Sequence, residues 1–74
     1  MRKIVKVLKT EKLKSKDGNI FYLSSVHLDF PENDSKHEEV FTGANSRKPR
    51  TNDNCEWWFD DQWNKPKFKL KEDK

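Results

Sequence analysis

The chain lacks most of what would announce a function. It has one cysteine, Cys55, two glycines and three prolines in 74 residues, and only 31% of it is apolar. A lone cysteine forms no internal disulfide, so a reducing, cytoplasmic setting is expected. Gly18 and Gly43 are too few and too far apart for a phosphate-cradling loop. No stretch approaches the roughly 20 continuous apolar residues of a spanning helix. Residues 1–16, with lysines throughout, lack the apolar centre of a secretory signal. The lysine-rich ends alternate at strand spacing, which argues against an amphipathic membrane helix. Without secretion, the sequon Asn33-Asp34-Ser35 carries no meaning.

What is present is charge and aromatic surface. Sixteen basic and 13 acidic side chains nearly cancel, so self-repulsion is mild. Nine aromatic residues supply large buried area for their number. A chain this short, with no disulfide, has a thin stability margin, so most of those rings are expected in the core of a single domain, 1–74. Charge is segregated: residues 1–16 carry net +6, 17–46 net −5 and 47–74 net +2. Folded compactly, such a chain can present faces of opposite sign. There is no internal repeat.

The clearest local signal is a hairpin. Asp17-Gly18 separates two apolar-rich runs and suits the positive φ of a tight primed turn. In the second run Ile20, Tyr22, Ser24, Val26, Leu28 and Phe30 share one face at period two. Phe21, Leu23, Ser25, His27 and Asp29 share the other, as in a half-buried antiparallel strand. Pro31 ends it. Residues 38–42 read as a short third strand, with a helical turn within 35–42, capped by Ser35 and stopped at Gly43, as the rival. Residues 43–54 read as a flexible basic loop. Residues 55–63 fit helical and strand periodicity equally, leaving a short helix within 54–64 open, while aromatic content favours a strand turning at Asp60-Asp61. Residues 65–71 alternate strictly, with lysines on one face and Pro66, Phe68 and Leu70 on the other, and Pro66 suits an edge strand. Residues 72–74 read as a frayed tail. The fold expected is mainly β: a small antiparallel sheet or Greek-key barrel, like the oligonucleotide-binding or Src-homology-3 type.

Two function classes follow. In the first, a non-enzymatic module holds single-stranded nucleic acid. Lys65, Lys67, Lys69 and Lys71 stand about 7 Å apart along one strand face, near the repeat of phosphates on an extended strand. Lys3, Lys6, Lys9, Lys12 and Lys14 extend that ladder if the first and last strands pair. Arg47, Lys48 and Arg50 add donors from the loop, and Tyr22 or Trp58 stacks bases. The bland alternative is that edge-strand lysines only prevent aggregation. In the second class, an accessory or inhibitory protein, of the kind viruses and mobile elements use, docks on a partner. Its anchor would be Trp57, Trp58 and Trp63, rimmed by Glu56, Asp60 and Asp61, carboxylates that repel phosphate. Under a strand reading Trp58 faces outward with Glu56, Asp60 and Gln62. The state expected is a monomer or an edge-strand dimer.

Metal and catalysis find little support. His27, His37 and Cys55 lack metal-ligand spacing. Ser24 and Ser25 near His27 lack a nucleophile elbow or an oxyanion donor loop. No cofactor is expected.

Overall fold

The computed structural model describes residues 1–71. Five strands, β1 (Arg2–Lys14), β2 (Ile20–Leu28), β3 (Phe41–Asn45), β4 (Asn54–Asp60) and β5 (Lys65–Leu70), close into a barrel in the order β1-β2-β3-β5-β4. A single 3-10 turn, Ser35–Glu38, lies between β2 and β3. The connectivity is a Greek key: three strands in succession, then a fourth that returns beside the first. All pairings are antiparallel except β3 with β5, which run parallel at Thr42 and Lys67. The expected mainly-β barrel is therefore the fold, with one parallel contact the alternation patterns did not announce.

The hairpin forms where expected, by a different turn. Gly18 N–H donates to Ser15 O and Ser15 N–H to Asn19 O, and of these residues only Gly18 has positive φ, at 86°. That is a three-residue loop with a glycine bulge, rather than a primed turn on Asp17-Gly18, which needs positive φ at Asp17. β1 carries two further irregularities, between Ile4 and Lys6 and between Val7 and Lys9. The apolar doublets Ile4-Val5 and Val7-Leu8 mark them: Ile4 is buried, whereas Val5 and Leu8 are left exposed. Bulges bend and twist a strand, as a small barrel requires.

Asn54–Asp60 is a strand, which removes the helix considered for 54–64. Asp60 ends it by accepting from the backbone N–H groups of Gln62 (3.0 Å) and Trp63 (3.3 Å), and Asn64 takes a left-handed φ of 53°. In the 35–42 region both readings hold in part. Asp34, rather than Ser35, caps the short turn by accepting from Lys36 N–H at 2.8 Å, and the strand begins only at Phe41. Gly43 continues that strand because Phe68 O approaches its Cα too closely for any side chain. The loop expected over 43–54 is thus only 46–53, its first three residues being strand β3 and its last the start of β4. It is stitched down: Asn52 N–H donates to Ile4 O at 2.7 Å, Ile4 N–H to Asp53 O at 3.0 Å, and Pro49 is buried. The tail expected to fray, 72–74, lies outside the described residues.

The core is small. Ile4, Val26, Leu28, Phe30, Phe41, Cys55, Phe68 and Leu70 are buried, with Val7 and Trp57 packed against them. Phe30 stacks on Phe41 at 5.9 Å, and Trp57 meets both rings edge-on. Most aromatics were expected inside, yet Trp58, Phe59 and Trp63 are exposed. A narrow five-strand barrel has no room for nine rings, so alternation and the β4–β5 turn place several outside. Ile20 shares the inward parity of Val26 but is exposed, because the β1–β2 hairpin runs past the point where β3 begins to pair.

Pro66 does not mark an edge. β5 pairs with β4 along its whole length and touches β3 on its other side. The proline precedes Lys67, the residue paired with β3, by one position. Nor do the first and last strands pair; β1 closes the ring on β4, through Arg2 with Cys55 and Lys3 with Asn54. Beyond Ile4, among the described residues, only β2 pairs with β1.

Candidate nucleic-acid interface

Register across the barrel places one residue from each strand in a single transverse row on the outer wall. Lys9 pairs with Ser25, Ser25 with Thr42, Thr42 with Lys67, and Lys67 with Trp58. The next rows along the wall begin Glu11, Leu23, Ala44 and then Leu13, Phe21. Lysines, Glu11 and a tryptophan therefore flank a strip of small polar and apolar side chains. Lys9, Glu11, Leu23, Ser25, Thr42, Lys65 and Lys67 line a shallow hollow of about 240 Å³ here, with Glu11 its one carboxylate. The strip is legible in the sequence as the mixed face of β2, although its function is not.

The lysines of β5 project as alternation requires, while Phe68 and Leu70 are buried behind them. Their neighbours on β4 differ in charge. Lys69 stands opposite Glu56 and Lys65 opposite Asp60, but Lys67, half-buried, stands opposite Trp58. Cross-strand pairing thus sets a lysine opposite Glu56 and Asp60, two of the three carboxylates expected to repel phosphate, while Asp61 lies in the turn. Lys9 forms an ion pair with Glu11 at 2.7 Å, both side chains well exposed. Lys71 lies one residue past β5, beside Glu56, off this strip.

Arg47, Lys48 and Arg50 sit at the mouth of the barrel, in the loop that follows β3. Asp53 organises them: it accepts from Arg47 Nη1 at 2.8 Å and from the Arg50 backbone N–H at 2.6 Å. The Arg47 hydrogen bond, then the Arg50 N–H and both charges, hold the Asp53 carboxyl below its usual range against the opposing effect of burial. Lys48 Nζ lies 5.9 Å from the centre of the Tyr22 ring. These side chains flank a second hollow, of about 540 Å³, with Thr10 and Pro49.

The three tryptophans do not form one patch. Trp57 packs inward on Phe30 and Phe41, Trp58 stands on the outer wall, and Trp63 projects from the β4–β5 turn with Asp61. Phe59, by contrast, is exposed and lines an apolar hollow of about 150 Å³ with Trp57, Phe41 and Pro66, a feature the sequence reading passed over.

Elsewhere the chemistry is quiet. Burial pushes the Cys55 thiol up to about 11, with the charges of Asp29 and Asp53 adding to the effect. His27 and His37 face the backbone carbonyls of Glu39 and Phe30, at 3.0 and 2.8 Å. Among the described residues, no cluster of His, Cys, Asp or Glu has the arrangement of a metal site, and no helix is long and apolar enough to cross a membrane. Compared with protein families, curated proteins and solved structures, the chain matches none.

Proposed function

We propose that this protein is a non-enzymatic, cytoplasmic binding module that holds single-stranded nucleic acid across the outer wall of β2, β3 and β5, without strong sequence preference. The observation that carries the reading is the row Lys9–Ser25–Thr42–Lys67–Trp58. Lys9, Lys65, Lys67 and Lys69 contact phosphates, Trp58 stacks a base, and Leu23 and Phe21 give the remaining bases an apolar floor. The strand order β1-β2-β3-β5-β4 also supports it. That connectivity belongs to the oligonucleotide-binding type rather than the Src-homology-3 type, and the former carries its ligands across strands 2 and 3.

The test is a titration of labelled single-stranded DNA and RNA, following anisotropy and tryptophan fluorescence at several salt concentrations. About four neutralised phosphates give a slope of about −3 in log affinity against log salt. Lys67→Glu weakens binding at least tenfold and flattens that slope, Trp58→Phe removes most of the fluorescence quenching, and Lys71→Glu changes little. A salt-insensitive interaction, or equal effects of Lys67→Glu and Lys71→Glu, refutes this placement.

A second reading rests on Phe59 and Trp63, 52% and 64% exposed, at the end of the β4–β5 hairpin. As an accessory protein, the chain would dock a partner there. Phe59→Ser with Trp63→Ser would then abolish partner capture and leave oligonucleotide affinity intact.

A further inference from the structure

The hollow at the barrel mouth is separate from the outer wall, yet a path joins them. Ser46 and Arg47 line both it and a third depression, of about 280 Å³, that also holds Phe21, Ala44 and Lys69. Lys69 is the next lysine along β5 from Lys67, and Ala44 pairs with Leu23 on the outer wall. A strand leaving the wall past Phe21 and Lys69 therefore meets the rim at Ser46 and Arg47, then Tyr22 beyond it.

We propose that the mouth is a second nucleotide subsite, in which Tyr22 stacks a base and Lys48 and Arg50 hold the flanking phosphates. This rests on the outer-wall reading and adds a length threshold to it. Three features suit the role. Tyr22 is half-buried on β2, with Asn45 and Lys12 its register neighbours on either side. The Lys48 ammonium, at 5.9 Å from the ring, lies at the outer limit of a cation–π contact and is placed to follow a base or to meet its phosphate. And the loop is held in shape by Asp53 and by its bonds to Ile4, so its backbone needs no ordering when a ligand arrives. Arg47, already paired with Asp53, serves as the rim over which the strand turns.

The span sets the threshold. From Trp58 to Tyr22 is three strand spacings across the wall and three residues along it, roughly 18 Å at ordinary sheet dimensions. An extended strand needs about four to six nucleotides to reach both rings, within the range of one such barrel.

The experiment measures oligothymidylates of 3, 5, 8 and 12 nucleotides against wild type, Tyr22→Phe, Tyr22→Leu and the double variant Lys48→Ala with Arg50→Ala. Short oligomers are read by competition with a labelled 12-mer. Wild type gains about tenfold or more in affinity between 3 and 8 nucleotides. Tyr22→Leu and the double variant lose that gain but keep their affinity for the trimer, and Tyr22→Phe keeps both. Equal loss at every length would make Tyr22 a fold residue only, and no loss at 8 or 12 nucleotides would place the strand elsewhere. Either overturns the proposal while leaving the outer wall intact. If the wild type binds no oligomer at all, the outer-wall reading falls and the mouth falls with it. Should Tyr22→Leu unfold, the double variant, on two exposed side chains, carries the test alone.

Discussion

Gly43→Ala tests the closure of the barrel with the smallest change available. An alanine Cβ at this position would meet Phe68 O at 2.1 Å and Phe68 C at 3.1 Å. Both are backbone atoms, so no side-chain rotation relieves the clash. To regain ordinary contact β5 must retreat from β3 by about 1 Å, which takes a hydrogen bond of about 2.9 Å out of range. Losing one or two ladder bonds costs about 1–2 kcal/mol, and the residual overpacking about 1–3 more. A domain of this size is stable by only about 4–11 kcal/mol in all. At about 4–8 °C for each kcal/mol, the midpoint falls by roughly 8–40 °C. Thermal and urea unfolding, followed by circular dichroism and tryptophan fluorescence, measure it. Gly18→Ala is the control: its site is open, with Lys14 Cε at 3.9 Å, and its cost is the positive φ alone, about 1–2 kcal/mol. Gly43→Ala should be clearly the worse. A midpoint within 3 °C of wild type would mean that β3 and β5 do not meet as described. Because that contact also sets Thr42 beside Lys67, a folded Gly43→Ala protein should bind oligonucleotides more weakly.

Two further outcomes concern titration. Asp53 has its folded carboxyl pKa lowered, so its stabilisation is present above the unfolded carboxylate range and lost as pH falls through the folded value. Asp53→Asn should therefore melt below wild type at pH 7, with the gap closing below about pH 4; a gap that widens in acid contradicts the assignment. Cys55, buried and with its thiol pushed up to about 11, should resist a thiol reagent at pH 8 and react only on unfolding, so fast labelling of the native protein would place it at the surface.

Local pattern reveals strand faces well and their neighbours poorly. The burial of Ser24, Val26, Leu28 and Phe30, and of Phe68 and Leu70 behind the lysines, follows from period two alone. Trp58 is outside for the same reason. Closure is different, because the β3–β5 contact joins residues far apart in sequence and leaves no mark on either segment beyond Gly43. Without it, Pro66 reads as an edge and residues 43–45 as loop. The tryptophan cluster fails similarly: Trp57 and Trp58 are adjacent in sequence and so must point to opposite sides of a strand.

Closure also decides what the lysines are for. A lysine ladder on an edge strand needs no ligand to explain it, since charge there blocks strand addition. β5 has a neighbour on both sides at Lys67, so edge protection does not account for that lysine. The exposed edge belongs to β1 beyond Ile4, and that strand carries both devices expected of a guarded edge, two bulges and the lysines 6, 9, 12 and 14. Such an edge disfavours the strand-paired dimer that an unguarded one would invite. Edge protection thus accounts for Lys6, Lys12 and Lys14, and cross-strand carboxylates face Lys65 and Lys69, which leaves Lys67. Lys67, half-buried between Thr42 and Trp58 with no carboxylate opposite it in register, is the lysine on which the proposed phosphate contact rests.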